Sequence, residues 1–316
     1  MLESVNPATG EVIAVFPVDG GREAALAVSR AAEAARWWAE LGWGGRRVRL
    51  LAWKSHLVRY LGRLARTVHE ETGTPLDDAR LEILLTVTQI DWAAKHARGA
   101  LRTRRVRSAP LTFNLSSVVG YRPLGVVGVI GSRHHPVLNP GGPIAYALAA
   151  GNTVVFKPSE LAAGSGAALA ASFAEALAIF DEQPPPVLQV LTGPGSTASA
   201  LARAGVAKIA FTGSAEAARR VMAEAAEALT PVIADTGGGR VHGPDGLRSF
   251  ALPEVTTRQR YRPLYRLSAA SQQDGAMDRL VMAFSVLHGR LYRSGRPRLA
   301  TARGLGRTRR AGPGQR

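Results

Sequence analysis

An open α/β fold, with a parallel sheet covered by helices and a helical region ahead of it, is predicted by three observations. First, short apolar runs recur after Pro123: GVVGVIG (125–131), NTVVFKP (152–158), VLQVLTG (187–193), KIAFTGS (208–214) and TPVIAD (230–235). Second, Ala-rich helical segments separate them at 143–150, 164–179, 196–204 and 215–229. Third, the runs are apolar throughout instead of alternating, as strands of a parallel sheet buried on both faces are. Such sheets bind ligands at the carboxyl ends of their strands, where these runs close in Gly-rich turns. The pattern is that of an open, Rossmann-like nucleotide-type sheet.

The elements before the sheet follow from spacing. Residues 22–41 carry apolar residues at helical intervals with charges between them and form the first helix. A longer helical stretch runs from about Gly45 to Glu71 and stops at Thr72-Gly-Thr-Pro75, a glycine then a proline just past the helix. Residues 76–100 form another helix, and 102–121, rich in Arg, Ser, Thr and Val with Pro110 inside, suit an exposed ribbon or edge strands. After Gly239 the periodicity is lost, and the last stretch, 303–316, is of low complexity and expected to be disordered. The expected division is a helical region with part of a ribbon (1–122), a nucleotide-type α/β domain (123–239) and a basic, irregular tail (240–316).

The 316 residues are 46% hydrophobic and 20% charged, which excludes collagen-like, mucin-like and wholly disordered chains. Cysteine is absent, so there is no disulfide, no thiolate metal site and no cysteine nucleophile. The start, MLESVNPATGEV, has no secretory signal pattern, and Pro136–Phe156, though uncharged, is broken by prolines and glycines. A cytoplasmic location without a membrane span is the expectation. The formal charge of +16 sits mostly in the tail, where 16 Arg face only Asp245, Glu254, Asp274 and Asp278. The body is close to neutral, so the overall charge does not assign the whole chain to nucleic acid.

Each motif carries a functional and a structural alternative. Gly193-Pro-Gly195-Ser-Thr-Ala198 matches a permissive dinucleotide fingerprint with Glu216 beyond it, or is an ordinary strand-to-helix turn. Phe211-Thr-Gly-Ser214 offers a glycine, a hydroxyl and a helix start for phosphate, or a Ser N-cap without a ligand. Lys157-Pro-Ser-Glu160 would hold a sugar's hydroxyls, or is a solvated charge pair. His134-His135 beside Arg133 are neighbours on a loop with no carboxylate nearby in sequence, so no metal site is expected.

In order and spacing, Asn6-Pro-Ala-Thr-Gly-Glu11, Glu71-Thr-Gly-Thr-Pro-Leu76, Tyr121–Gly131, Ala149-Ala-Gly-Asn152, Lys157–Glu160, Gly193-Pro-Gly195 and Phe211–Ser214 resemble the NAD(P)-dependent aldehyde dehydrogenase superfamily. The resemblance spans about residues 5–239. It implies an oxidoreductase that converts an aldehyde to a carboxylic acid. Lys157 and Glu160 would then hold the adenosine ribose, Gly195 would sit near the adenine, and Phe211, Gly213 and Ser214 would lie along the pyrophosphate and nicotinamide half. Glu160 favours NAD over NADP, because its carboxylate would repel a 2′-phosphate. The ribbon at 102–121 would resemble part of the family's oligomerisation hairpin, which implies a homo-oligomer.

The departures concern chemistry. The family uses a Cys thiolate as nucleophile, a Glu to activate water and an Asn with a backbone N–H for the oxyanion. Here His134 stands at the Asn position, within Gly131-Ser-Arg-His-His-Pro136, and Asp235 stands at the Glu position, within Asp235-Thr-Gly-Gly-Gly239. The nucleophile and the strand that closes the oligomerisation sheet are not recognisable in 240–316. The expectation is a truncated, catalytically dead cofactor-binding portion, a pseudoenzyme, with the tail read out of frame from about codons 236–240. Two alternatives stand beside it. One is a non-catalytic NAD-binding or interaction protein, and the other, ranked last, is a nucleic-acid binder using the Arg-rich tail.

Overall fold

The computed structural model describes residues 1–108, 114–181, 183–237, 242–260 and Met282. Residues 1–108 and 116–258 form one compact unit. Of the second unit, 109–115 with 259–316, few residues are described, and within it the Arg260 N–H donates to the Asn114 carbonyl at 2.8 Å.

An antiparallel hairpin, β1 (Leu2–Val5) and β2 (Val12–Phe16), precedes the first helix. The NPATGE sequence is its turn: Asn6 Oδ1 accepts from the Ala8 and Thr9 N–H groups, and Gly10 takes a φ of 76°. Helix α1 (Gly21–Glu40) matches the expected helix, and α4 (Leu76–Ala100) the expected 76–100. The stretch expected to be one helix from 45 to 71 is two, α2 (Gly42–Arg59) and α3 (Leu61–Thr72). Tyr60 leaves the helical region between them, with its ring against His56 at 4.5 Å and under the Arg63 guanidinium at 5.2 Å. No proline marks that break, and Gly62 follows it in the first turn of α3.

The ribbon consists of β3 (Arg104–Val106) paired antiparallel with β4 (Leu115–Pro123), and Pro110 lies outside the described residues. Five strands then build the parallel sheet: β5 (Val126–Ile130), β6 (Thr153–Lys157), β7 (Leu188–Val190), β8 (Lys208–Thr212) and β9 (Val232–Asp235), in the spatial order β7-β6-β5-β8-β9. Val127, Val129, Val154, Phe156 and Ala210 point into a core shared with α2, α4 and α5, whereas Val126, Ile130, Val155, Ile209 and Phe211 enter a second core on the other face. That period-two division explains why the strand segments are apolar at every position.

Helix α5 (Leu138–Ala150) starts five residues ahead of the expected 143, despite Pro140 and Pro143. Pro140 lies in the first turn, where a missing N–H costs nothing. Gly141 and Gly142 let α4 pack closely, since a Cβ there would come within 2.5 Å of Thr86 and 2.6 Å of Gln89. The remaining sheet helices are α6 (Ala163–Leu177), α7 (Gly195–Arg203) and α8 (Ala215–Glu227).

Residues 243–259, placed by sequence in the irregular tail, instead form α9 (Gly243–Arg248) and β10 (Ala251–Gln259). Leu247 and Phe250 are completely buried in the main core, each worth roughly 1.5–3 kcal/mol. The Asn152 amide donates to the Phe250 carbonyl at 2.8 Å, and Lys208 Nζ to that of Ser249. Strand β10 joins the ribbon as β10-β4-β3. Strand β10 is thus a third ribbon strand that the sequence pattern did not reveal. Its polar, Thr- and Arg-bearing face hid it, because an exposed sheet edge needs few apolar residues. Residues 261–281 and 283–316, with the low-complexity end, lie outside the described residues.

Candidate functional site

The chain runs outward from β5 through β6 to β7, then returns to place β8 on the other side of β5. Such a reversal opens a crevice at the carboxyl ends of the strands. A cleft of about 970 Å³ lies there, lined by the segments that follow β5, β6, β8 and β9 and by the start of α7. It is lined by His134, Lys157, Glu160, Gly195, Phe211, Gly213, Ser214 and Asp235, whereas Gly193, Glu216 and His135 are not among its lining residues.

Lys157 closes β6 with its side chain almost wholly buried, and its Nζ stands 3.2 Å from Glu160 Oε2. The lysine half of the pair is buried and the Glu160 half is open to solvent. Burial pushes the Lys157 ammonium below its ordinary value despite the neighbouring carboxylate. Burial would raise Glu160, but its own backbone N–H and Lys157 outweigh that and hold it below the usual carboxylate range. Gly195 opens α7, with free space where a side chain would stand. Ser214 is the N-cap of α8, accepting from the Ala217 N–H at 3.2 Å, so its hydroxyl already has a structural task. At Gly213 a Cβ would meet the Phe211 ring at 2.8 Å, and that contact demands glycine. Glu216, in the first turn of α8, is mostly exposed, pairs with Arg220 and is not among the residues that line the cleft.

Three carboxylates from the N-terminal half hold the turns around this cleft, and sequence motifs alone did not reveal that role. Asp19 Oδ2 accepts the Thr192 N–H at 2.6 Å, fixing the turn into α7. Glu71, 4% exposed, accepts from the Gly164 and Ser165 N–H groups at 2.8 and 2.7 Å and from the Ser4 and Ser165 hydroxyls. Glu82, 2% exposed, accepts from the Val137 and Leu138 N–H groups at 2.7 and 2.9 Å. Glu71 and Glu82 thereby place negative charge at the starts of α6 and α5, where unpaired N–H groups and the helix dipole favour it. Glu71 opens one of the motifs quoted above, and for Glu82 the sequence signal is a charged residue on the otherwise buried face of a helix.

The opposite end of the cleft is built differently. The loop after β5 is tied by its own groups: the Ser132 hydroxyl and the Asn139 amide donate to the His134 carbonyl at 2.8 and 2.7 Å. The His134 side chain itself is exposed. His135 takes a left-handed φ of 51°, with Nδ1 3.6 Å from Glu82 Oε2. Asp235 closes β9, and its Oδ1 accepts from the Gly237 N–H at 3.1 Å. Gly238 and Gly239 lie outside the described residues. His242 also lines this end, a neighbour that its distance in sequence concealed.

The profile of the aldehyde dehydrogenase family matches residues 1–242. The chain belongs to that family. It is 33% identical over 246 residues to the chloroplastic betaine aldehyde dehydrogenase of Atriplex hortensis, covering 74% of this chain and 47% of that one. It is 32% identical over 293 residues to the mitochondrial succinate-semialdehyde dehydrogenase of Arabidopsis thaliana, covering 89% and 53%. That 89% is more than residues 1–242 can supply, so the similarity extends past the point where the motifs end. Among solved structures, an aldehyde dehydrogenase from Brucella melitensis biovar abortus 2308 superposes with a TM-score of 0.69 at 28% identity, over 75% of this chain and 48% of that one. PnpE in complex with nicotinamide adenine dinucleotide gives 0.68 at 28%, over 75% and 47%. The chain spans about half the length of the curated relatives it matches. Among the described residues, no helix is long and apolar enough to cross a membrane.

Proposed function

We propose that this chain is a cofactor-binding member of the aldehyde dehydrogenase family that holds NAD and does not oxidise aldehydes. The observation that carries the reading is the buried Lys157 paired with Glu160 at the mouth of β6, beside a cleft within the size range of small-molecule sites. Lysine has three donors and the Glu160 carboxylate four acceptor positions, so both retain capacity for ribose hydroxyls after pairing with each other. The starts of α7 and α8 present N–H groups for the pyrophosphate. These residues fit a dinucleotide, whose nicotinamide supplies the hydride acceptor in the family's reaction. Glu160 disfavours a 2′-phosphate, so NAD is preferred over NADP.

At the reacting end, His134 would donate a single hydrogen bond in place of an amide, and the loss of one oxyanion donor typically costs about 10²–10³ in rate. Asp235 would present its carboxylate one methylene short of the family's Glu. Neither residue supplies a nucleophile, and a chain without cysteine cannot form a thiohemiacetal. The labour is divided between segments. The region before 123 supplies the carboxylates that fix the turns, the sheet supplies the cleft, and β10 completes a ribbon suited to assembly of like subunits. Residues 242–260 fit the core and continue a sheet, which supports an in-frame origin for them, so a frame change before residue 260 is disfavoured.

Calorimetric titration of the full chain with NAD and with NADP tests this reading. One saturable NAD site, weakened by Lys157→Ala and Glu160→Ala, with NADP binding more weakly, is the expected result. Absence of saturable NAD binding by the folded chain would overturn it.

A further inference from the structure

A second cavity lies between α2, α4 and the carboxyl end of α5 and shares no lining residue with the cleft. Its volume is about 320 Å³, enough for a small ligand. Arg46, Arg47, Lys95 and Arg98 line it together with Trp43, and no carboxylate does. All of these side chains stand on helices, so their spacing is fixed by packed elements.

The charge there is not balanced locally. Arg46 is 5% exposed, and burial brings its guanidinium down to about 10. Its Nη1 donates to the Ala39 carbonyl at 3.0 Å and its Nε to that of Ala149 at 3.3 Å, and it lies over the Trp43 ring at 4.7 Å. Those carbonyls close α1 and α5 and carry only the partial charge of helix ends. Lys95 pairs at 2.6 Å with Asp91, a carboxylate it shares with Lys54. Arg47 and Arg98 are exposed and form no ion pair among the described residues. A buried cation without an acid costs stability unless a counter-charge arrives. Guanidinium forks match the oxygens of a phosphate, and an indole wall suits a flat body.

We propose that this cavity is a binding site for a small phosphorylated molecule with a planar body, separate from the dinucleotide cleft. The phosphate lies between Arg47 and Arg98 with Arg46 behind it, and the planar part rests against Trp43. The site does not depend on whether NAD binds, so the two proposals stand or fall separately.

Phenyl phosphate and inorganic phosphate, titrated into the full chain at constant ionic strength, test the proposal. The expected result is one saturable site that prefers phenyl phosphate. R47A/R98A should weaken it about tenfold, the loss of a charge-assisted contact, whereas R59A/R66A, on exposed arginines elsewhere, and excess NAD should leave it unchanged. R47K/R98K, which retains charge without the fork, should fall between the parent and the alanine pair and guards against a folding defect in the latter. Three results would overturn it: no saturable binding, equal weakening by both alanine pairs, or displacement by NAD. A site that takes an acidic peptide but neither phosphate would overturn it as well.

Discussion

The two ends of the cleft differ in how they are made. At the β6 end, Lys157 is buried and already paired with Glu160, and the adjoining helix start is fixed by Glu71 through two N–H groups and two hydroxyls. At the β5 and β9 end, His134 is exposed, Asp235 is engaged in its own turn, and no residue can serve as a thiolate. The groups proposed to bind a cofactor are thus held in place without the groups that would react. The binding end depends on carboxylates from the N-terminal half, which the absence of a nucleophile does not touch.

The largest expected effect concerns the reactive end. Aldehyde-dependent NADH formation should lie about 10⁶-fold or more below that of a cysteine-bearing relative, the scale of losing a nucleophile that acts with its partners. Detectable turnover abolished by Asp235→Ala would erase the contrast between the two ends.

Next comes the support of the turns. Glu82→Ala leaves two N–H groups at the start of α5 without an acceptor and should cost about 2–4 kcal/mol of stability in urea denaturation. Glu71→Ala should behave alike. Either variant melting like the parent would show that these carboxylates do not hold the turns.

A smaller change is expected in affinity. Lys157→Ala should weaken NAD about tenfold, the loss of one charge-assisted contact, with the melting temperature shifted by only a few degrees, on the order of 1 kcal/mol. A His134→Ala chain should bind NAD as the parent does. If the two variants weaken NAD equally, the division between the ends is wrong.

The smallest effect lies away from the cleft and depends on pH. Hydrogen bonds from Lys54 and Lys95 hold the Asp91 carboxyl below the usual carboxylate range. Its contribution is therefore complete above the ordinary carboxylate value and fades as pH falls through the lowered one. Asp91→Asn should flatten the acid limb of the stability curve and change stability at neutral pH by about 0.2–1 kcal/mol. An unchanged acid limb would show that the pairing contributes nothing.

The sheet was legible because its strands are apolar on both faces, and every strand segment named from sequence holds one of β5 to β9. The β6 end of the cleft was legible because Lys157, Glu160, Gly195 and Phe211–Ser214, which line it, lie next to the strands that place them. Glu71 and Glu82 were not, since their partners lie 93 to 94 and 55 to 56 residues away. The break at Tyr60 escaped notice because helical spacing of apolar residues continues across it and a lone Gly62 is a weak stop signal. Residues 243–259 were misjudged for a related reason. Only Leu247, Phe250 and Ala251 of that segment are buried hydrophobics, and three such residues do not make a periodic pattern.

We propose that cofactor binding survives here without aldehyde oxidation. This is tested most directly on one preparation of the full chain, titrated with NAD by calorimetry and then assayed for NADH with a panel of aldehydes. Saturable binding of NAD with no aldehyde-dependent NADH is the expected result. Aldehyde-dependent NADH from that preparation, or a folded chain that does not bind NAD, would contradict it.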